Sequence, residues 1–137
     1  MTAPARFAEA ITQSSVEIDA LVASSPIDLA TVMGLLDPKI QRPPTLLYLH
    51  ESQVGYPPGP KGGRAYRGII NDWTSISTAD RVAVATHFHA GVLTERMPPF
   101  VDELIQGAGP KLETLLLNIE VLPIGINTSD LEPSKAT

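Results

Sequence analysis

Apolar residues near the start of the chain recur at α-helical spacing. The residues that share one arc of such a helix are Phe7, Ile11, Ile18, Leu21 and Val22. With Pro4 at a usual position for a helix start, the pattern predicts an amphipathic helix over about residues 4–23. After a Ser-Ser-Pro sequence, the apolar segment IDLATVMGLLD predicts a second, short helix over residues 27–37 that must end before Pro38.

Two segments in the middle of the chain have the composition of β-strands. The segment TLLYLHES at residues 45–52 is an apolar run too short for a typical helix, and RAYRGIIND at residues 64–72 alternates its side chains between two faces. We predict that the two segments pair as an antiparallel hairpin. Residues 52–64 would then form a connection much longer than an ordinary hairpin turn.

The second half of the chain is dominated by predicted helices. Residues 77–80 have the spacing of a capping box and open a helix that extends to about Arg96, before a Pro-Pro pair. A short helix that begins at Pro98 and is stopped by Gly107 follows, and Pro110 begins another helix with an apolar stripe. The segment NIEVLPIGIN fits either the end of that helix or a strand, and the pattern leaves both open.

Together these elements predict an α+β fold. The chain has 137 residues, which is a usual length for one domain. We expect a helix-dominated single domain over residues 1–125, with one β-hairpin or small antiparallel sheet and a long hairpin loop at residues 52–64. Residues 126–137 have the composition of a polar C-terminal tail.

The composition excludes several classes of protein. The chain has no cysteine, so it has neither a disulfide framework nor a cysteine-type zinc site. Its sequence shows no apolar run of the signal-peptide type, and no stretch approaches the roughly 18 apolar residues of a membrane span. We therefore expect a cytoplasmic or virion protein that is neither secreted nor embedded in a membrane.

Charge is unevenly distributed along the chain. The formal net charge is −5, yet residues 39–67 contain five basic residues and one acidic residue. The basic residues are Lys39, Arg42, Lys61, Arg64 and Arg67, and the acidic residue is Glu51. Acidic segments lie on both sides of this basic middle, a pattern that favours either self-association or binding to a polyanion.

The segment QVGYPPGPKGGR at residues 53–64 is the most unusual stretch of the sequence. It lacks the G-x-x-x-x-G-K-[ST] pattern of a phosphate-binding loop, and its three prolines remove backbone donors that such a loop needs. Its proline spacing favours an extended arm that contacts another protein. The residues predicted to bind a partner are Tyr56, Pro57, Pro58, Pro60, Lys61, Arg64 and Arg67.

Histidines offer the main alternative chemistry. His87 and His89 form an H-x-H pair that, with His50, would suit a metal ion if the pair lay on a strand. On the helix predicted here the two rings diverge, which places His89 against the core and His87 in solvent. The sequence also lacks a G-x-S-x-G motif and a locally spaced pair of facing carboxylates. We therefore favour a protein without a catalytic site, metal or cofactor.

A nucleic-acid-binding module is a further alternative. Basic and aromatic side chains, which together suit a phosphate backbone and its bases, occur close together in the sequence. These residues are Lys61, Arg64, Tyr66 and Arg67, with Tyr56 and Trp73 nearby. The acidic net charge argues against this role, so nucleic acid is an unlikely partner on this reading.

The function that these patterns favour is structural. We expect a non-enzymatic assembly subunit or adaptor that contacts other protein subunits through the loop at residues 52–64, the basic hairpin and the polar tail. Such contacts would form a homo-oligomer or part of a larger complex. In its general make-up, the chain is similar to small connector or tail-completion proteins of tailed bacteriophage virions, including head-tail connectors.

Overall fold

The structure, a computed structural model, describes residues 2–57 and 66–125. Its helices are α1 (Ala3–Thr12), α2 (Leu29–Gly34), α3 (Tyr66–Thr78), α4 (His87–Leu104) and α5 (Ala108–Leu116). Its strands are β1 (Leu21–Ser24), β2 (Thr45–Leu49), β3 (Arg81–Val84) and β4 (Glu120–Val121). A single turn of 3-10 helix, Gln53–Gly55, follows β2. This alternation of strands and helices is the pattern of an α/β fold.

The strands of the described part of the chain form one sheet in which every neighbouring pair is parallel. The strand order β1-β2-β3-β4 repeats the order along the chain. Leu47 of β2 lies between Ala23 of β1 and Val82 of β3, and Ala83 of β3 pairs with Glu120 of β4. The predicted α+β fold with an antiparallel hairpin is therefore wrong, and the fold is α/β.

Helix α3 occupies the place of the second predicted hairpin strand. Its buried residues include Ile69, Asp72 and Ile76, which are three and four positions apart as on one face of a helix. The sequence pattern conceals this face because Asp72 is polar and yet buried. The predicted hairpin loop at residues 52–64 therefore lies between a strand and a helix, and its residues 58–64 lie outside the described residues.

Two of the segments predicted to be helical contain a strand in the structure. The predicted helix over residues 4–23 ends early, and β1 takes up its last part. The strand β3 reads Arg-Val-Ala-Val, an apolar run buried from its second residue onward, and periodicity alone does not distinguish such a run from a helix. Residues 77–80, predicted as a capping box at the start of a helix, instead include the last two residues of α3 and the two residues after it. There the Asp80 carboxylate accepts a hydrogen bond from the backbone nitrogen of Thr45 at 2.8 Å.

Helix α4 continues through the Pro-Pro pair that the sequence pattern places at its end. Leu93, Met97 and Val101 are completely buried and lie on both sides of the first proline, at helical spacing. Burial of this apolar stripe outweighs the roughly 3 kcal/mol that a proline costs inside a helix. The short helix predicted from Pro98 to Gly107 is therefore the last part of α4, and Gly107 lies between α4 and α5.

Helices cover one face of the sheet. The strands follow one another across the sheet in one direction. Because crossovers between parallel strands are right-handed, the connecting helices then lie on a single face. The sheet residues on that face are buried, and they are Ala23, Leu47, Leu49, Val82 and Val84. On the opposite face, Val22 is 69% exposed, and Leu46 and Tyr48 are half-buried. Ala83 of β3, which pairs with Tyr48 on this same face, is completely buried, so the face is open at β1 and closed at β3.

Candidate functional site at the carboxyl edge of the sheet

Polar and titratable side chains gather at one edge of the sheet. Because the strands are all parallel, the segments that leave their carboxyl ends meet at this edge. These segments contribute Ser25 after β1, His50 and Glu51 after β2, and Thr86 and His87 after β3. Open parallel sheets bind their ligands outside the carboxyl ends of the strands, so this edge is the candidate functional site.

Hydrogen bonds between the strand ends fix the backbone of this edge. The Ser25 hydroxyl accepts a hydrogen bond from the backbone nitrogen of His50 at 3.0 Å. Tyr48 donates its hydroxyl to the carbonyl oxygen of Leu122 at 2.6 Å, and its ring centroid lies 4.8 Å from that of His50. The ends of β1, β2 and β4 are thereby joined by side chains from this edge.

Glu51 and Tyr56 form a polar pair on the solvent side of the edge. The Tyr56 hydroxyl donates a hydrogen bond to the Glu51 carboxylate at 2.7 Å, and both residues are exposed. This hydrogen bond, together with the negative charge of Glu51, raises the pKa of the Tyr56 phenol. The phenol therefore stays protonated at neutral pH and continues to orient the carboxylate.

A buried pair supports the segment that includes Glu51. The Ser52 hydroxyl donates to the Asp72 carboxylate of α3 at 2.6 Å, and both residues are buried. Burial raises the pKa of Asp72, while the hydrogen bonds from Ser52 and from the backbone of Gln53 partly oppose this rise. The pair holds the residues after β2 against α3 and so determines where Glu51 and Tyr56 lie.

Helix α4 begins at this edge with a capped first turn. The Thr86 side chain accepts a hydrogen bond from the backbone nitrogen of His89 at 3.1 Å. His89 is half-buried, and its Nε2 atom is shielded from solvent without a hydrogen-bond partner in the described part of the chain. Burial lowers the pKa of His89, and the negative charge of Glu51 partly opposes this effect. The ring is therefore neutral at pH 7.

This neutral ring gives the stability of the protein a pH dependence. Because the pKa of His89 is lower in the folded chain, the unfolded chain takes up its proton first as the pH falls. The resulting stabilisation is present above about pH 6.5, the ordinary histidine value, and is lost as the pH falls through the lowered pKa. We expect the urea midpoint of the wild type to decline over this range more steeply than that of His89→Leu.

The control for this measurement is His87→Leu, because His87 is exposed and lies in the same turn. It should keep the pH dependence of the wild type. If the His89→Leu midpoint declines as steeply as that of the wild type, burial of His89 does not govern the acid response.

The three histidines of the metal alternative lie at this edge but diverge. His50 contacts the ring of Tyr48, His87 lines a cavity of about 720 Å³ beside β4, and His89 lies close enough to Glu51 to sense its charge. Within residues 2–57 and 66–125, no three His, Asp or Glu side chains are placed to hold a metal ion.

The predicted partner-binding residues are only partly described. Tyr56 and Pro57 are exposed. Arg67 is exposed at the start of α3 and lines a groove of about 1330 Å³ beside β1. The remaining residues, Pro58, Pro60, Lys61 and Arg64, lie outside the described residues. Their binding to a partner stays a prediction.

Sequence reasoning does not identify Glu51 and Asp72 as members of a site. The available signal is the polar triplet His50, Glu51 and Ser52, which follows directly after an apolar strand. This signal becomes informative only when the strand is known to be parallel to its neighbours, because polar residues then collect at one edge. An antiparallel hairpin would have placed the same residues in an isolated loop.

The fold is that of an α/β domain with a candidate ligand site at the carboxyl ends of its parallel strands. A family model described as tRNA-queuosine alpha-mannosyltransferase N-terminal matches residues 1–126 of the chain, so the chain belongs to this family. No curated protein and no solved structure matches the chain.

Family membership overturns the structural function predicted from the sequence. The family is the N-terminal part of an enzyme that acts on tRNA-queuosine, so the predictions of a non-enzymatic assembly subunit, a virion protein and a head-tail connector are wrong. The prediction that nucleic acid is an unlikely partner rests on the net charge, which does not report how charge is placed locally, whereas the family description implies a tRNA partner. Of the described helices, none combines the length and apolar character needed to span a membrane.

Proposed function

We propose that this chain binds the tRNA acceptor of a mannosyl-transfer reaction and that Glu51 contacts a hydroxyl group of queuosine. The family description supplies the substrate class, a tRNA that bears queuosine. The carboxyl edge supplies a site of the kind that parallel α/β sheets use for ligands. The proposal assigns acceptor binding to this chain and the complete transfer reaction to the whole enzyme.

The Glu51–Tyr56 pair is the observation on which the proposal depends. An ionised carboxylate accepts hydrogen bonds and donates none, and the hydroxyls of a sugar or nucleoside are suitable donors. The Tyr56 hydroxyl occupies one position on the carboxylate, at 2.7 Å. Because Glu51 is exposed, its other lone pairs remain accessible to a hydroxyl that approaches from solvent. The carboxylate is thus oriented before the acceptor arrives.

The charge of the neighbouring sequence suits a tRNA backbone. Residues 57–67, which follow Tyr56, contain Lys61, Arg64 and Arg67 and no acidic residue. Lysine and arginine bind phosphates by charge and release counterions, which supports affinity without base specificity. The composition of this segment, which follows Glu51 in the sequence, therefore complements a specific contact with a general one.

The proposal is tested by binding of one tRNA with and without queuosine. We expect the wild type to prefer the queuosine-bearing form and Glu51→Gln to lose about tenfold or more of this preference. The amide replaces a charged acceptor with a neutral oxygen and a donor, and a hydrogen bond to a charged group contributes roughly 1.5–3 kcal/mol. Dissociation constants measured by fluorescence anisotropy at fixed salt give the comparison.

Glu113→Gln is the matched control, because Glu113 is an exposed carboxylate on α5 and the variant removes the same charge. It should leave the preference unchanged. An unchanged preference in Glu51→Gln, or the absence of any preference in the wild type, would contradict the proposal.

A further inference from the structure

Two exposed aromatic rings without a role in the core belong to segments at the carboxyl edge. Phe88, in the first turn of α4, is 83% exposed, and Tyr56 is 53% exposed. The buried stripe of α4 lies elsewhere on the helix, at Leu93, Met97 and Val101. Packing of α4 therefore does not account for an aromatic side chain at position 88.

Phe88 lies one turn before the part of α4 that contacts Gly55, the residue next to Tyr56. Val92, one turn after Phe88, packs so closely on Gly55 that a Cβ atom there would lie 3.2 Å from the Val92 Cγ1 atom. One turn further, Arg96 donates a hydrogen bond to the carbonyl oxygen of Gly55 at 3.5 Å. Residues four apart share a helix face, so Phe88 extends this row toward the carboxyl edge, and Tyr56 follows Gly55 directly.

We infer that Phe88 and Tyr56 form a stacking platform for an unpaired tRNA base next to queuosine, an inference that rests on the proposed function. Proteins that read unpaired RNA place exposed aromatic rings against base faces, because every base has a π-face and the contact needs no particular sequence. Glu51 would contact the modified nucleoside, while the two rings hold its neighbour. The platform thus supplies affinity, and Glu51 supplies selectivity.

The surroundings of Phe88 favour a base over an apolar protein surface. Thr86 and His87, which precede it, and Arg96, two turns after it, are exposed and polar. Interface cores between proteins are apolar patches depleted in charge, whereas a flat base needs one or two rings with polar neighbours. In sequence, Tyr56 is followed by residues 57–67, which contain three basic residues and no acidic one, a composition that suits the phosphates of a nucleic acid.

The test is a set of substitutions at Phe88, measured by binding to tRNA with and without queuosine. We expect Phe88→Ala to weaken both tRNAs by the same factor, about tenfold, because stacking is independent of the modification. Phe88→Tyr should bind as the wild type does, since it keeps the ring. Phe88→Leu, which keeps apolar volume and loses the ring, should bind as weakly as Phe88→Ala.

A second measurement identifies the stacked base. Abasic nucleotides are placed in turn on each side of queuosine, and each tRNA is titrated with the wild type and with Phe88→Ala. For the stacked position, removal of the base should abolish the difference between the two proteins, because the same contact cannot be lost twice. Equal differences at all positions would overturn the inference.

The matched control is Leu117→Ala, since Leu117 is a similarly exposed apolar residue, 81% exposed, just after α5. It should bind tRNA as the wild type does. The inference is overturned in favour of a protein contact by either of two results. One is that Phe88→Leu binds tRNA as the wild type does, and the other is that Phe88→Ala changes self-association and leaves tRNA binding unchanged. A failure of the proposed function gives a different result. The wild type then shows no preference for the queuosine-bearing tRNA, while Phe88→Ala still weakens binding to both tRNAs.

Discussion

Replacing Leu47 by Ala is expected to lower the free energy of unfolding by about 3–5 kcal/mol. Leu47 is the central residue of β2, is completely buried, and lies between Ala23 and Val82 of the adjacent strands. Its side chain points to the helix-covered face, so truncation removes apolar contacts and leaves a cavity that parallel strands on both sides cannot close. Urea unfolding followed by circular dichroism measures the loss.

Leu46→Ala is the matched control for Leu47→Ala. It makes the same chemical change one position earlier on the same strand, but Leu46 is half-buried on the open face of the sheet. We expect a loss of less than half that of Leu47→Ala, because fewer atoms leave contact and solvent fills the space. Equal losses would mean that the two positions are packed alike, contrary to the difference in their burial.

Asp72→Ala is expected to lower the free energy of unfolding by about 1–3 kcal/mol and to weaken tRNA binding as well. Removal of the carboxylate leaves the Ser52 hydroxyl and the backbone N–H of Gln53 without their acceptor in a buried place. The same change releases the segment that holds Glu51 and Tyr56. The two effects are measured by urea unfolding and by the affinity for queuosine-bearing tRNA.

Asp72→Asn separates the hydrogen bond from the charge. The amide oxygen still accepts from Ser52, so this variant should be more stable than Asp72→Ala at pH 7. Because burial raises the pKa of Asp72 in the folded chain, its stabilising contribution is complete below about pH 3.8, the unfolded value, and is lost as the pH rises through the raised pKa. The stability of the wild type relative to Asp72→Asn should therefore fall as the pH rises from about 4. Parallel pH curves would contradict the assignment.

Helix α2 and strand β2 were predictable because their signals are local. The segment at residues 27–37 is an apolar run between two prolines, and the helix α2 lies within it. The apolar segment at residues 45–52 contains the whole of β2. In both cases the flanking residues and the length of the run were sufficient, since neither element depends on which neighbour it meets.

The sheet topology was not predictable from local pattern. A buried parallel strand such as β3 is apolar on both faces, so it lacks the alternation that identifies a strand. In α3 a polar residue hides the buried face of a helix. Asp72 is buried, and the residue that binds it, Ser52, is remote in sequence. The sequence pattern assigns β3 to a helix and α3 to a strand. It therefore predicts a hairpin in place of the parallel sheet, and it does not bring the residues of the carboxyl edge together.

The sequential strand order has a consequence for how such a domain changes in length. Each strand pairs only with the strand that precedes or follows it in the chain, so no strand is inserted between two earlier ones. A strand-and-helix unit can therefore be added or lost at β1 or β4 without breaking a hydrogen bond between the remaining strands. The residues after β2 and β3 occupy the centre of the sheet, where such terminal variation leaves their spacing intact.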